Sequence, residues 1–295
     1  MRDGPAYLRR ARLTIVRPRP DPSTGAGSYF GTQRENALVI ERLRIQFSIK
    51  KSLGKKPNAG ELTITNLAEA TRDQLAATPL VAILEVGYGD AELRRLFAGD
   101  VLSVTHDYDG TEWTTTLQAH DGGRALAHGR VRVGYRARTP ALAVLREVAR
   151  SLGLRLPRDT ENLPALQQAL TAGASLSGRA SEELSRLLEP LGLGWSIQDG
   201  DLVVLPERGI RPGEAILIDE AAGMIGSPKW GSPPKPGQRP PLSVECLLFP
   251  ELEPGREVQV KSRTANGQFK VTAVEHAGDT EGGDWKTAIE GYAQA

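Results

Sequence analysis

One short pattern occurs twice in this sequence and restricts the fold more than any other feature. Val104-Thr105-His106 is followed, after a Gly-containing loop, by Trp113-Thr114-Thr115-Thr116-Leu117-Gln118-Ala119. Val274-Glu275-His276 is followed in the same way by Trp285-Lys286-Thr287-Ala288-Ile289-Glu290-Gly291. Because alternate residues of a strand point to the same side, Trp, Thr and Leu or Ile share one face in each copy. The pattern predicts two related antiparallel β-barrel domains, with chance similarity between amphipathic hairpins as the alternative.

The histidine, the tryptophan and the middle threonine of each copy are interpreted as structural anchors of the two barrels. These anchors are His106, Trp113 and Thr115 in the first copy, and His276, Trp285 and Thr287 in the second. Packing in a core or a strand pair is favoured for the two tryptophans over stacking against a sugar.

Turn and cap residues predict how the rest of the chain is divided. Asn66, with Glu69 three residues later, predicts the start of a short helix. Thr139 before Pro140 predicts the start of a longer one, and Asp199-Gly200 between two apolar runs predicts a tight hairpin. We therefore predict an α+β, β-dominated fold with a first barrel over residues 1–122, an inserted α+β module over 123–207 and a second barrel over 208–295.

A basic loop lies between an alternating strand over residues 43–50 and a return strand over 61–65, and it is too long for a tight turn. Residues 1–60 contain 13 Lys and Arg against 4 Asp and Glu, whereas the remaining residues contain 24 against 32. This asymmetry favours contact with something acidic, and a solvated basic arm is the alternative. The loop residues interpreted as a contact surface are Lys50, Lys51, Lys55, Lys56 and Asn58.

The sequence gives no support to several classes of catalytic and metal site. A single cysteine, Cys246, excludes an intrachain disulfide and a zinc site built from several thiolates. The four histidines lack metalloprotease spacing, and Ser177 stands where a nucleophile elbow needs its second Gly. There is neither an apolar signal segment nor a run of about 18 apolar residues. We therefore predict a protein without metal, cofactor or membrane insertion.

The order of short motifs along residues 40–295 carries a further indication. The motifs are Leu43 to Lys51, Asn58, Leu62 to Leu67, Thr71-Arg72, Phe97 to Val101, Trp113 to Thr115, Gly178 to Ala180, Trp195 to Gly200, Leu205-Pro206, Gly226 to Pro228, Leu252 to Gly255, His276 to Thr280 and Trp285 to Thr287. In this order they resemble the baseplate hub, or tail hub, proteins of tailed bacteriophages. Type VI secretion spike proteins share the architecture of that family.

The resemblance implies a homotrimeric ring of pseudo-six-fold symmetry that joins a hexameric tail tube to a trimeric spike and lines a DNA exit channel. It also implies a protein without catalytic activity of its own. It implies contacts with other copies of the chain, a tail tube protein, a spike or tail-tip protein and a tape measure protein. DNA would pass without sequence-specific binding, and the basic loop would contact the tube or the channel. The implied location is the tail tip or baseplate of a virion assembled in the host cytoplasm.

Two other functions compete with this interpretation. One is a cell-wall hydrolase or carbohydrate-binding module carried at a tail tip, which predicts lysis of peptidoglycan in a turbidity assay. The other is a DNA-binding protein driven by the charge of residues 1–60, which predicts a steep salt dependence of DNA affinity.

Overall fold

The computed structural model describes residues 8–18, 37–76, 79–233 and 239–294, and it confirms a β-dominated α+β fold. The first part of the chain is mostly antiparallel strand with one short helix. Its elements are β1 (Arg9–Val16), β2 (Leu38–Ile40), β3 (Ile45–Ser52), β4 (Ala59–Thr65), α1 (Glu69–Leu75), β5 (Val81–Tyr88), β6 (Arg94–Tyr108) and β7 (Trp113–His120). Strand β3 shows the period that builds them, since Ile45, Phe47 and Ile49 are buried while the residues between them are not.

Helix α1 begins after Ala68, so the prediction that Asn66 caps it is wrong. Asn66 has a φ of 59°, in the left-handed region that Asn tolerates better than most residues. Its side-chain oxygen accepts a hydrogen bond from the backbone N–H of Trp113 at 3.0 Å. Asn66 therefore ties the end of β4 to the start of β7 and leaves the helix without a side-chain cap.

The middle of the chain is a small module of short helices and two hairpins. Its elements are α2 (Gly123–His128), β8 (Arg130–Tyr135), α3 (Ala141–Ser151), α4 (Arg158–Glu161), α5 (Pro164–Gln167), β9 (Ala174–Arg179), α6 (Ala180–Leu188), a 3-10 turn (Glu189–Leu191), β10 (Leu193–Gln198) and β11 (Asp201–Pro206). The prediction that Thr139 caps α3 is wrong, because Pro140 holds that position and the Thr139 hydroxyl donates to the Arg136 carbonyl instead. The tight hairpin at Asp199-Gly200 is confirmed, since both residues have the positive φ that such a turn requires.

The last part of the chain returns to strand. Its elements are β12 (Ile216–Ile218), β13 (Met224–Trp230), β14 (Leu242–Leu247), β15 (Glu257–Lys261), β16 (Asn266–Asp279) and β17 (Trp285–Ala293). Apolar residues alternate along β14 and β17 in the same way as along β3, with one face buried and the other polar.

Thirteen strands from the first and last parts form one continuous sheet. Along the sheet the order is β13-β14-β17-β16-β3-β4-β7-β6-β5-β1-β2, and β12 joins through β15, which pairs with β16. Within the described ranges, no strand pairing closes this sheet into a complete barrel. All of its pairs are antiparallel except β12 with β15.

Three large apolar clusters, and a small fourth one at Val16 and Val81, occur in the described part of the chain. One lies in the first part and also contains Leu248 and Trp285 from the last part. The second lies within the module, and the third lies within the last part. The division into three domains at residues 122/123 and 207/208 stays a prediction, and the sharing of Trp285 shows that the first and third parts pack as neighbours.

Candidate functional site

The two copies of the repeated pattern form hairpins with the same register. The matching pairs are Val104 with Leu117, His106 with Thr115, Val274 with Ile289, and His276 with Thr287. In both copies the histidine Nδ1 lies 2.9 Å from the threonine Oγ1 of its partner. A β-bulge lies at the same place in both copies, since Leu102 is skipped in the strand pairing of the first copy and Thr272 in that of the second. An agreement in register, side-chain contact and bulge is evidence for two related structural units.

The strand order extends this equivalence beyond the hairpins. The first unit runs β3-β4-β7-β6-β5 and the second runs β13-β14-β17-β16-β15. Leu62 of β4 pairs with Leu117, as Val244 of β14 pairs with Ile289. The two strand sequences therefore correspond one to one.

The two units meet along an inter-repeat joint, where β16 of the second unit pairs with β3 of the first. Their residues pair from Ala273 with Ser52 to Asp279 with Gln46. At one end, the Arg44 Nη2 donates to the Asp279 carboxylate at 2.7 Å, and this hydrogen bond lowers the pKa of Asp279. The joint is therefore a backbone-bonded contact reinforced by an ion pair.

An aromatic contact fills the core side of the inter-repeat joint. The ring of Trp285 packs edge-on against Phe47, with centroids 5.4 Å apart, and edge-on against Tyr88 at 6.3 Å. A Cβ at Gly278 would overlap the Phe47 ring, so only glycine allows this close approach. The anchor residues of the second unit are consequently sealed by the first unit.

The anchor residues of the first unit lack such a cover. Trp285 is 4% exposed, whereas Trp113 at the equivalent position is 37% exposed. His276 is fully buried, whereas His106 is only partly buried. In the described part of the chain the ring of Trp113 contacts residues of its own unit, with the Arg72 guanidinium 4.0 Å from its ring centroid and the Tyr108 ring 5.2 Å away.

Two open strand edges explain this difference in burial. Asp100 of β6 pairs with both Val81 and His120, so β5 and β7 lie on opposite sides of β6. Beyond Asp100, the side of β6 that β5 occupied pairs with no strand in the described part of the chain. In β16 the equivalent side is occupied by β3. The strand that corresponds to β3, namely β13, ends the sheet and pairs only with β14 among the described strands.

The solvent-facing side of the sheet, here called the polar face, is small-residue-rich and acidic. Its charged residues include the acidic Glu61, Asp107, Glu245, Glu275 and Glu290 and the basic Lys50, Lys229 and Lys286. Lys50 Nζ lies 3.5 Å from Glu275, and Thr63 Oγ1 lies 3.3 Å from Thr116 Oγ1. A face with this composition suits contact with water and does not favour binding of a polyanion.

A buried polar cluster attaches the module to the sheet next to the inter-repeat joint. Lys51, 3% exposed, donates from Nζ to Asp199 at 2.6 Å, and Asp199 accepts the Ala98 backbone N–H at 3.0 Å. Asp121 accepts the backbone N–H groups of Asp199 and Gly200. Together they bind the tip of the β10–β11 hairpin to β3 and to the end of β7.

Asn58 completes the buried polar cluster. Its amide donates to the Ile197 carbonyl and to Gln198 Oε1, both at 2.9 Å. Its oxygen accepts the Ser52 backbone N–H at 2.9 Å. The position of the module therefore depends on side chains from the basic loop.

The charges in this cluster do not balance, because one ammonium faces two carboxylates. Burial, followed by the negative charge of Asp199, raises the pKa of Asp121 to about 8. Burial and the positive charge of Lys51 lower the pKa of His276 well below its ordinary value. At neutral pH Asp121 is therefore protonated and His276 is neutral.

We expect the stability of the protein to fall by about 1 kcal/mol between pH 7 and pH 8 because of Asp121. An acid whose pKa is raised on folding binds its proton only in the folded state across this range, so rising pH removes the stabilisation. His276 opposes this trend only below about pH 6.5, where the unfolded chain takes up a proton.

Urea unfolding of the wild type and of Asp121→Asn at pH 7 and pH 8 measures the effect. Asparagine resembles the protonated acid, so the variant should lose the difference between the two pH values. An equal fall in both proteins would contradict the assignment to Asp121.

Two further findings concern the described residues only. They contain no group of three or more His, Cys, Asp and Glu side chains arranged to hold a metal ion. None of the helices in those ranges is long and apolar enough to cross a membrane.

Comparison with known proteins identifies the fold but yields no sequence relative. Neither a protein-family model nor a curated protein matches the chain. The 43 kDa tail protein of prophage MuSo2 from Shewanella oneidensis superposes with a TM-score of 0.61 at 12% identity, covering 87% of this chain and 94% of its own. A tail protein from Neisseria meningitidis MC58 gives 0.59 at 11%, covering 95% and 96%.

The chain has a phage tail protein fold. The same fold extends to a type VI secretion system component of Escherichia coli that is structurally similar to bacteriophage T4 tail proteins. That component superposes with a TM-score of 0.57 at 12% identity, covering 85% of this chain and 74% of its own. At these identities the likeness concerns the fold, and it agrees with the resemblance seen in the motifs.

Within the tail protein fold, the five predicted loop residues separate into two groups. Lys51 and Asn58 are buried and hold the module in place, so neither is accessible to a partner in this conformation. Lys50, Lys55 and Lys56 are exposed, and Lys55 lies 2.7 Å from Glu189 of the module. Contact with a tube or channel stays a prediction for these three lysines.

Sequence reasoning missed Asp121 and Asp199 as members of a charged cluster. Asp199-Gly200 is recognisable as a turn, but its carboxylate contacts a lysine 148 positions away in the chain. A weak signal was present, since Lys51 occupies a core-facing position of an alternating strand in which Ile45, Phe47 and Ile49 are apolar.

Proposed function

We propose that three copies of this chain form a ring that serves as the structural hub of a phage or phage-derived tail. The observation that carries the proposal is the unequal burial of two equivalent anchors, Trp113 and Trp285. The anchors of the second unit are covered by the first unit, whereas the equivalent anchors of the first unit have no such cover within the described part of the chain. A second chain can supply that cover, and repetition of the contact gives a ring with two similar units per chain.

A ring of three chains would carry six similar units, which suits a six-fold tube on one side and a three-fold spike on the other. The fold shared with tail proteins and with a type VI secretion component supports this role. The polar face would then line the central channel, where its excess of carboxylates would let DNA pass without binding it. Catalysis is not part of the proposed role, and a turbidity assay on peptidoglycan is expected to show no lysis.

The proposal is tested by native mass measurement of the purified protein, alone and with a tail tube protein. We expect a species of three chains, at least when the tube protein is present. A monomer under both conditions would contradict the ring. Lysis in the turbidity assay would instead favour the tail-tip hydrolase.

We expect charge reversal of the exposed loop lysines, Lys50→Glu with Lys55→Glu and Lys56→Glu, to reduce binding of the tube protein at least tenfold. The three side chains are exposed, so the free energy of unfolding of the variant should stay within about 1 kcal/mol of the wild-type value. Co-sedimentation with assembled tube measures the binding.

A matched control reverses three exposed arginines of the module, namely Arg132, Arg136 and Arg158. The control should bind the tube normally. An equal loss of tube binding in both variants would show a general effect of charge and would contradict the assignment of the loop to the contact.

A further inference from the structure

The inter-repeat joint is a template for the contact between neighbouring chains, and it predicts which residues meet there. We propose that the open edge of β6 in one chain pairs antiparallel with β13 of the next chain, placing Asp107 opposite Lys229. The inference rests on the proposed ring. It concerns the partner and the register of one interface, which the ring by itself does not specify.

The first step of the argument assigns equivalent residues within the two units. Cys246 and Ile64 both pair with the anchor threonine, and opposite them on the outer strand lie Met224 and Ile45 respectively. At the other end, the outer-strand residues opposite Ser243 and Glu61 are Lys229 and Ser48. Lys229 of β13 therefore corresponds to Ser48 of β3, and Trp230 corresponds to Ile49.

The second step applies the pairing seen in the inter-repeat joint. There, His276 lies opposite Ile49 and Ala277 lies opposite Ser48. His106 and Asp107 are the equivalents of His276 and Ala277, because each stands at the same distance from the bulge and the anchor threonine. When each residue of the joint is exchanged for its equivalent in the other unit, the same register places His106 opposite Trp230 and Asp107 opposite Lys229 of the next chain.

The chemistry of the two open edges agrees with this register. Asp107 and Lys229 carry opposite charges, both are exposed, and both occupy positions that correspond to the polar face. The joint itself has such a pair two residues along the strands, on the same face, where Lys50 lies 3.5 Å from Glu275. Directly opposed strand residues of opposite charge stabilise a pair, whereas like charges oppose it.

Exposed apolar residues are also concentrated along these two edges. On β6 they are Leu102 and Tyr108, with Trp113 opposite Tyr108 on β7, and on β13 they are Ile225 and Trp230. Trp230 corresponds to Ile49, which is fully buried in the joint, yet Trp230 is 48% exposed. Long open strand edges with exposed apolar residues promote aggregation of a monomer, and pairing with another chain covers them.

The contact is heterologous, because the edge of β6 and the edge of β13 are different surfaces. Contacts of this kind close into a ring when the rotation between chains allows it. An alternative contact in which β6 pairs with β6 would be isologous and would stop at a dimer. The two arrangements give opposite results with single-cysteine variants.

Disulfide cross-linking of Asp107→Cys and Lys229→Cys tests the pairing. Opposed strand residues lie within the Cα separation that a disulfide spans, and the native Cys246 is fully buried. We expect an oxidised mixture of the two variants to give a covalent dimer, and neither variant alone to give one. The double variant should give species of two and three chains on a non-reducing gel. As the control, an Arg132→Cys variant, whose cysteine lies on the module, is mixed with either of the two variants in place of the other, and it should give no covalent dimer.

The results separate this inference from the proposed function. A trimer by native mass without cross-linking in the mixture would overturn the β6–β13 pairing and leave the ring standing. Cross-linking of Asp107→Cys with itself would also overturn it, in favour of an isologous contact. A monomer under every condition would overturn both. In a second arm, Asp107→Lys should weaken assembly at least tenfold, and Asp107→Lys with Lys229→Asp should restore it.

Discussion

Replacement of Lys51 by Met is expected to lower the free energy of unfolding by about 3–5 kcal/mol, because it leaves the buried carboxylate of Asp199 without its cation. The Lys51 ammonium lies 2.6 Å from Asp199, and both side chains are almost entirely buried. Removing one partner of a buried pair costs more than removing both, since the remaining charge has neither water nor a counterion. Urea unfolding at pH 7 measures the loss.

Lys50→Met is the matched control for this substitution. Lys50 is the next residue of the same strand, but it points to the polar face and its ion pair with Glu275 is exposed. Its loss should cost no more than about 1 kcal/mol. The double variant Lys51→Met with Asp199→Asn should recover most of the stability. Equal unfolding midpoints for Lys51→Met and Lys50→Met would contradict the importance of the buried polar cluster.

Trp285→Ala is expected to cost about 3–5 kcal/mol, whereas Trp113→Ala at the equivalent position should cost the isolated chain about 1 kcal/mol. Trp285 is sealed by Phe47 and Tyr88 across the inter-repeat joint. Trp113 has one face toward solvent, and its main contact is the Arg72 guanidinium. The measurement is urea unfolding at a protein concentration low enough to keep the chain monomeric.

The same pair of variants also reports on assembly. If the open edge of β6 is covered in a ring, Trp113→Ala should become costly at high protein concentration, as a weakened association measured by sedimentation. Trp285→Ala should show its full cost at every concentration. Equal costs for the two tryptophans in the monomer would mean that burial does not distinguish the two units, and the argument for a missing neighbour would fail.

Periodic features of the sequence were sufficient to identify most of the fold. The alternation of Ile45, Phe47 and Ile49 and the repeated V-x-H and W-x-T pattern predict strands and a duplication, because side-chain direction in a strand depends only on neighbouring residues. The tight turn at Asp199-Gly200 is equally local. The cap predictions at Asn66 and Thr139 were wrong because side chains that can cap a helix can also bind other backbone groups nearby.

The site depends on contacts between residues that are distant in the chain. Lys51 looks like any lysine of a basic loop until β3 turns it toward the core, where it meets Asp199 from the module. The same holds for the opposite charges at Asp107 and Lys229, whose relationship becomes visible only when the two units are aligned by strand pairing. No local pattern encodes such a relationship, because it depends on which strands become neighbours.

The sequence alone determined that the chain is built largely from antiparallel strands, that a hairpin unit occurs twice and that a separate α+β segment lies between the copies. These properties follow from short-range periodicity and turn chemistry. Only the tertiary structure decided that β16 pairs with β3, that one copy of the unit is thereby sealed while the other keeps an open edge, and that Lys51, Asp121 and Asp199 share a buried cluster. The physical reason is that strand pairing and burial depend on the whole arrangement of the chain, which brings together residues more than a hundred positions apart.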